Sequence, residues 1–354
     1  MSKFILDDDS LWGDNRLTDR QTDRQTDRQT DRPQTLSEKI EESKRALRLA
    51  SEMSKRYYGA PAIVCYSGGK DSDVLLHLAE SCLEVGDFEV LNSHTTVDAP
   101  ETVYHIRDTI NRLKAKGIVA NIDYHIDDDG KPQTMWRLIV EKEMPPTRLM
   151  RYCCAVLKET STPNRLALLG VREAESIKRR GRDIFGVRGG SLRTATFFSL
   201  DHTEEVHHES IEKNDPVWDC TLIKVMKSKG DTVVNPIYHW TDNDIWEYAR
   251  QNHIKMNPLY ERGYHRVGCI GCPLATYKEK SKEFRDYPIY KDNYIKAFDK
   301  MLKARKEHGK KNLGNDWHWW ETGEDVFNWW IEEYKRNVKG QMTIDEWLSE
   351  SEDK

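Results

Sequence analysis

Apolar residues recur at Ile40, Ala46, Leu47, Leu49, Ala50 and Met53, a spacing that predicts an amphipathic helix from Ser37 to Tyr58 with Ser37 as its N-cap. A short apolar run, Ala62 to Tyr66, then meets Ser67-Gly68-Gly69. Beyond it, Val74, Leu75, Leu78 and Ala79 carry helical spacing through the stretch from Asp73 to Leu83. This reads as strand, glycine turn, helix. Phe88 to Leu91, Val119 to Tyr124 and Leu168 to Val171 are further strand candidates, with a helical stretch from Ala99 to Lys116. Strands alternating with helices predict an α/β fold, a doubly wound and mostly parallel sheet. Beyond Trp240 the pattern turns helical, at Asp242 to Gln251 and Tyr287 to His308. An aromatic-rich tail with Trp317, Trp319, Trp320, Trp329 and Trp330 follows. It reads as a helical C-terminal region packed on the sheet domain, or as a small second lobe.

Residues 18–33 repeat TDRQ with no apolar member, so they have nothing to bury against a core and read as a disordered spacer. The chain therefore divides into an N-terminal extension (1–35), an α/β domain (36–275) and a Trp-rich helical region (276–354). Hydrophobic residues make up 37% and charged residues 32% of the chain, and no apolar run is long enough for a membrane span. The first nine residues end in three acids and lack a secretory pattern, which makes a cytoplasmic location the expectation. A net charge of -5 gives no global attraction to nucleic acid or anionic lipid.

The candidate chemistry begins at Ser67-Gly68-Gly69-Lys70-Asp71-Ser72, where a buried strand passes into a helix. Backbone N–H groups at such a helix start favour anions. Two glycines let the main chain approach phosphate oxygens closely, two serines add hydroxyl donors, and Lys70 offers a point charge. The loop is neither a Walker A motif nor a dinucleotide fingerprint, since GxxxxGK[ST] and GxGxxG are both absent. Asp98 and Glu101 follow the second strand on the same sheet edge, where acids can meet a ribose or a metal, or simply cap a helix. Arg172 follows the fourth strand, and Lys178, Arg179, Arg180 and Arg182 crowd the next positions. Arg172 and Arg179 suit a phosphate clamp, with a solvated basic face as the alternative.

SGGKDS after a strand resembles the signature of the PP-loop ATP pyrophosphatase superfamily. Thr96-Val97-Asp98-Ala99-Pro100-Glu101-Thr102, Gly170-Val171-Arg172-Glu173-Ala174-Glu175-Ser176 with Arg179, and Asn235-Pro236-Ile237 through Trp240-Thr241-Asp244-Ile245-Trp246 resemble its phosphoadenosine-phosphosulfate (PAPS) reductase branch. The resemblance runs from about Ala62 to about Pro273. It implies an adenine nucleotide α-hydrolase-like fold and a bound ATP, or PAPS or adenylyl sulfate. Ser67, Gly68, Gly69, Lys70, Asp71 and Ser72 would hold the phosphates, Lys70 and Asp71 would be catalytic, and Asp71 would help to place Mg²⁺.

Seven cysteines include two tight pairs, Cys153-Cys154 and Cys269-Ile270-Gly271-Cys272. Four soft ligands suit Zn²⁺ or an iron–sulfur cluster. Adjacent cysteines diverge, which strains a tetrahedral zinc site more than a larger [4Fe–4S] cluster, so the cluster is favoured and zinc is the runner-up. Paired CC and CxxC also resemble the pattern of adenylyl-sulfate reductases and DNA-phosphorothioation sulfurtransferases, which hold such a cluster. The reductase pattern has a basic pair after the first cysteines. Here Leu157 replaces one member and Lys158 is retained. Cys65, Cys82 and Cys220 read as core residues.

The family's best-known sulfonucleotide reductases use a nucleophilic cysteine in a C-terminal tail, and Cys272 is the last cysteine here. The leading reading is therefore an ATP-cleaving enzyme that adenylates an acceptor for sulfur transfer. A PAPS or adenylyl-sulfate reductase and a nucleotide-sensing protein without turnover are the alternatives. The expected partners are an adenine nucleotide, a sulfur donor protein and a nucleic-acid acceptor, with no membrane. The acceptor surface would draw on Lys224, Lys227 and Lys229, or on Lys303, Arg305, Lys306, Lys310 and Lys311 near the tryptophans, against the blander reading of solvated helix faces and core Trp.

Overall fold

The computed structural model describes residues 34–158, 161–162, 164–175, 184–187, 232–309 and 320–332. The TDRQ repeat, Ser176, Lys178, Arg179, Arg180, Arg182, Cys220, Lys224, Lys227, Lys229, Lys310, Lys311, Trp317 and Trp319 lie outside them. Helix α1 (Leu36–Met53) starts earlier than its apolar spacing indicates, because Thr35, not Ser37, is the N-cap. The Thr35 hydroxyl accepts from the Glu38 amide while the Glu38 carboxylate accepts from the Thr35 amide at 2.8 Å, a reciprocal cap that Ser37 cannot complete. A π-helical turn (Ser54–Tyr58) ends α1 at Gly59, which takes a left-handed φ of 64°.

Strand β1 (Ala62–Cys65) leads through the glycine turn into α2 (Lys70–Cys82), so Lys70, Asp71 and Ser72 form the first turn of the helix rather than part of a loop. Then follow β2 (Phe88–Ser93), α3 (Pro100–Ala115), β3 (Ala120–Asp123), α4 (Met135–Lys142), α5 (Tyr152–Leu157) and β4 (Ala167–Leu168). Next come β5 (Phe185–Val187), β6 (Thr232–Val234) and α6 (Asp242–Gln251). The helix expected from Tyr287 to His308 is preceded by a separate one, α7 (Tyr277–Asp286), and itself becomes α8 (Pro288–Glu307). Pro288 has no amide hydrogen, so it opens α8 where that donor is not needed. Helix α9 (Gly323–Glu332) completes the described chain.

The six strands form one sheet in the order β3-β2-β1-β4-β6-β5. All neighbours are parallel except the β5–β6 pair at the edge. The fold is thus the doubly wound, mostly parallel α/β architecture, with helices following it. The chain steps outward from β1 to β2 and β3 in one direction and continues at β4 on the other side. The C-terminal end of β1 therefore opens into the crevice at the switch point, where open α/β sheets bind ligands.

Two hydrophobic clusters hold the described residues together. The first packs Leu47 and Ala50 of α1, Leu75 and Leu78 of α2 and Ile245 of α6 around Val64, Val90 and Leu168 of the sheet. The second joins Val97, Met135, Ile139, Cys153 and Ile270 to Phe284, Tyr294, Phe298, Phe327 and Trp330. Trp320 and Trp330 are buried in it, so these two tail tryptophans are core residues rather than an exposed aromatic face. Among the described residues, no helix is long and apolar enough to cross a membrane.

Candidate active site

The turn out of β1 is built from inside by Ser72. Its hydroxyl donates to the Gly69 carbonyl at 2.8 Å and accepts from the Gly69 amide at 3.1 Å, with the Ser67 hydroxyl 3.2 Å away. Ser72 is 4% exposed, so it sets the shape of the turn. Gly68 has a φ of 71°, and a Cβ there would lie 2.8 Å from Ile106 Cγ1. Both facts require glycine. From across the crevice, the buried Asn257 side-chain amide donates to the Gly68 carbonyl at 2.9 Å, and the Tyr260 hydroxyl accepts from the Lys70 amide at 2.8 Å. That amide is one of the donors a helix start leaves without an intrahelical partner. Burial keeps the Tyr260 phenol protonated well above its ordinary range. Gly170, just after β4, packs so closely that a Cβ would sit 3.1 Å from the Asp71 carbonyl carbon.

Charges around the first turn of α2 alternate. Arg172 is 1% exposed. Its Nε donates to Asp71 Oδ1 at 2.7 Å, its Nη2 to Asp242 Oδ1 at 2.8 Å and its Nη1 to the Trp240 carbonyl at 3.2 Å. Lys70 Nζ lies 3.2 Å from Asp71 Oδ2 and 3.3 Å from Asp242 Oδ1. Burial opposes ionisation of Asp242, but the charges of Lys70 and Arg172 outweigh it and hold its carboxyl below the usual range. The guanidinium thus fixes the direction in which Asp71 presents its second oxygen.

The four expected cysteine ligands come from two elements. Cys153 and Cys154 stand in the first turn of α5, and Cys269 and Cys272 flank a tight turn. In that turn Gly271 has a φ of 70°, and a Cβ on it would lie 2.7 Å from Trp330 Cη2 and 2.8 Å from Phe284 Cζ. The Ile270 amide donates to the Val97 carbonyl at 2.8 Å, and the Gly271 amide to Glu283 Oε2 at 2.7 Å. Burial pushes the Glu283 carboxyl up to about 7. The Cys269 thiol donates to the Thr95 hydroxyl at 3.4 Å. None of the four is in a disulfide.

These thiols share one electrostatic neighbourhood. The Cys153 thiol is raised by its hydrogen bond with Cys154, by burial, and by the charges of Cys154, Cys269 and Cys272. Burial pushes the Cys269 thiol up to about 12, against the attraction of Lys158. The Lys158 ammonium is raised in turn by the charge of Cys269, with Asp98, Cys154 and Cys272 contributing after burial opposes it. Among the described residues, no three His, Cys, Asp or Glu side chains are arranged to hold a single metal ion.

The two centres adjoin. Thr95, which accepts the Cys269 thiol, donates its own hydroxyl to Asp98 Oδ2 at 2.7 Å, and Asp98 bridges Cys269 through the backbone. The Val267 carbonyl lies 3.9 Å from the Cβ position of Gly69. One segment, residues 257–272, therefore touches the glycine turn at one end and carries two cysteines at the other.

Ser67, Gly68, Gly69, Lys70, Asp71, Ser72 and Arg172 are thus gathered in one place, whereas Asp98 lies beside Lys158 and Cys269. Arg179 is outside the described residues. Sequence reasoning missed Asn257, Tyr260, Asp242, Thr95 and Glu283. The Asn257-Pro258 dipeptide, a turn signal shortly before Cys269, marks the segment that supplies the first two.

Residues 61–275 match the phosphoadenosine phosphosulfate reductase domain. Over 267 residues the chain is 24% identical to an uncharacterized protein of Methanocaldococcus jannaschii, covering 73% of this chain and 44% of that protein. The chain spans half or less of the length of the two curated relatives that align over most of it. Among solved structures, a phosphoadenylyl-sulfate reductase from Candida auris aligns at 13% identity with a TM-score of 0.39, covering 73% of this chain and 98% of that one. The U34-tRNA thiolase of Methanococcus maripaludis with its [4Fe-4S] cluster aligns at 13% identity and a TM-score of 0.35, covering 86% and 91%.

Proposed function

The chain belongs to the phosphoadenosine phosphosulfate reductase domain family, and from that membership and the site geometry we propose that it cleaves ATP to AMP and pyrophosphate, adenylating an acceptor for sulfur transfer. The observation that carries this reading is a glycine turn at a helix start that is joined, through the 257–272 segment, to Cys269 and Cys272. In the proposed step an acceptor oxygen attacks the α-phosphorus, the bond from that phosphorus to the bridging oxygen breaks, and pyrophosphate leaves with the electron pair.

Each residue then has a task. The Ser67 hydroxyl and Lys70 Nζ, at the start of α2, bind the β,γ-phosphates. Ser72 and Gly68 hold the turn open. Asp71, aimed by Arg172, is the residue that would hold Mg²⁺, which would supply charge neutralisation at the phosphates. Arg179 is assigned to phosphate as a further cation, and Asp98 stands between the nucleotide and the thiols.

Cys153, Cys154, Cys269 and Cys272 would hold a [4Fe–4S] cluster, with zinc as the lesser candidate. Bound there, such a group supplies a carrier for sulfur beside the adenylated acceptor. Lys158 balances the negative charge of the thiolates, and Thr95 fixes the Cys269 side chain.

Family membership also favours a sulfonucleotide reductase as the second reading, and one assay separates the two. Anaerobically purified protein is incubated with ATP, alone and with tRNA or DNA as acceptor, and separately with PAPS and a thiol. Pyrophosphate from ATP is expected. Sulfite from PAPS would reverse the order, and neither product would leave a nucleotide-binding protein.

A further inference from the structure

The residues on either side of the glycine turn are joined by a buried polar cluster that the proposed reaction does not use. Tyr66 leads from β1 into Ser67, and Asp73 follows Ser72 on α2. The Tyr66 hydroxyl donates to Asp73 Oδ1 at 2.6 Å. From α3, His105 Nε2 lies 3.0 Å from Asp73 Oδ1 and 3.2 Å from Oδ2. Tyr66 is 2%, Asp73 5% and His105 5% exposed. An ionised carboxylate only accepts, so the facing histidine nitrogen carries the hydrogen. Burial and the adjacent carboxylate hold the Tyr66 phenol well above its ordinary range, which keeps it a donor. The main chain of Tyr66 is fixed separately. Its amide donates to the Leu91 carbonyl at 2.9 Å, and its carbonyl accepts from the Asn92 side-chain amide at 2.8 Å.

His105 belongs to the face of α3 that supports the turn, with Thr102, Ile106 and Thr109 at helical spacing on the same side. Thr102 Oγ1 accepts at 3.1 Å from the Asn257 amide that also donates to the Gly68 carbonyl. Ile106 stands where a Cβ on Gly68 would lie, and Thr109 Oγ1 is 3.2 Å from the Tyr66 hydroxyl. A buried carboxylate costs stability, and packed apolar side chains often hold helices together equally well. What the carboxylate adds is direction, because one group accepts from the strand side and from α3 at once. Ser67 follows Tyr66, and Lys70 stands one helical turn before Asp73, so each end of the tie lies directly behind a group assigned to phosphate. We propose that Tyr66 and His105 are positioning residues for polyphosphate binding, acting through Asp73 to fix the glycine turn in one shape. This deepens the phosphate-binding reading of the turn and rests on it.

The test measures binding of inorganic pyrophosphate and of AMP to the full chain by calorimetry, with Mg²⁺ present. AMP lacks the β,γ-phosphates. Tyr66→Phe keeps the ring and removes the tie, and it is expected to weaken pyrophosphate binding about tenfold, the scale of one hydrogen bond to a charged group, with AMP binding unchanged. His105→Leu should do the same, and His105→Gln, whose amide can donate to Asp73, should restore most of the affinity. Ile110→Val, a buried change on the same helix, should leave both affinities as in the parent. Equal weakening of pyrophosphate and AMP, or a His105→Gln variant as weak as His105→Leu, assigns the cluster to the core alone and overturns the proposal. Should His105→Leu fail to fold, Tyr66→Phe decides. A parent that binds pyrophosphate but releases none from ATP, with the variants ordered as expected, supports the positioning role and counts against the ATP reading. Release of pyrophosphate from ATP, with variants that bind it as the parent does, overturns the positioning role and leaves the ATP reading standing. A parent that binds no pyrophosphate overturns both.

Discussion

Replacing Gly271 by alanine tests whether the cysteine turn is locked by the aromatic cluster behind it. Two costs add at this position. A φ of 70° is left-handed, and an L-residue there loses about 1–2 kcal/mol. The new Cβ would also lie 2.7 Å from Trp330 Cη2, 2.8 Å from Phe284 Cζ and 3.1 Å from Tyr294 Cε2, three rings that pack on one another and have little room to retreat. Overpacking of that kind costs about 1–3 kcal/mol more. Gly59 provides the internal control, because its φ of 64° is similar and nothing lies within 4 Å of its Cβ position. Gly59→Ala is expected to lose about 1 kcal/mol and Gly271→Ala about 3 kcal/mol, measured by urea unfolding of the two variants side by side. The difference between them isolates the ring contacts. Equal losses for the two variants would refute the reasoning, since the wall of rings would then contribute nothing.

Arg172→Ala leaves Asp71 beside Lys70 but removes its buried partner, and thermal or urea unfolding should show a loss of about 3 kcal/mol, with a variant as stable as the parent counting against the placement. Ser72→Ala removes the hydroxyl that ties Gly69 from both sides, so a loss of about 1–2 kcal/mol and weaker ATP binding by calorimetry are expected, and unchanged binding would show that the turn holds its shape without it. Cys269→Ala should reduce iron and acid-labile sulfide to background in anaerobically purified protein, whereas zinc without sulfide in the parent would discard the cluster. Glu283 carries a folded pKa of about 7 against an ordinary 4.5, so the folded state binds its proton more tightly. Stability from this group is complete below 4.5 and is lost as pH rises towards about 7, by up to about 3 kcal/mol. Glu283→Gln should flatten that decline in unfolding curves taken between pH 4.5 and pH 8, and an identical slope in both proteins would remove the burial argument.

The parts of this fold that could be read from sequence were those with long periodicity. The apolar spacing of α2 and the five-residue run into Ser67 placed the turn correctly, since each spans enough residues to declare its period. The strands β5 and β6 have three residues each, too few for alternation to register, so the antiparallel edge was not foreseen. The start of α1 was missed because apolar spacing says nothing of a reciprocal cap. At the site, local order revealed the glycine turn and the cysteine pairs but not their neighbours. Asn257 and Tyr260 reach the turn from 189 and 190 residues away, and no local signal ties such positions to a phosphate site. Arg172 was visible as a charge, while its engagement with Asp71 and Asp242 depends on the parallel sheet that brings β4 beside β1.

The segment 257–272 makes the two halves of the site mutual reporters. If a ligand that shifts the Tyr260 end alters the environment of Cys269 and Cys272, then a group seated on the sulfurs changes the affinity at the glycine turn by the same factor, because linkage between equilibria is reciprocal. In this architecture cooperativity needs no moving domain, only a strap sixteen residues long fastened at both ends.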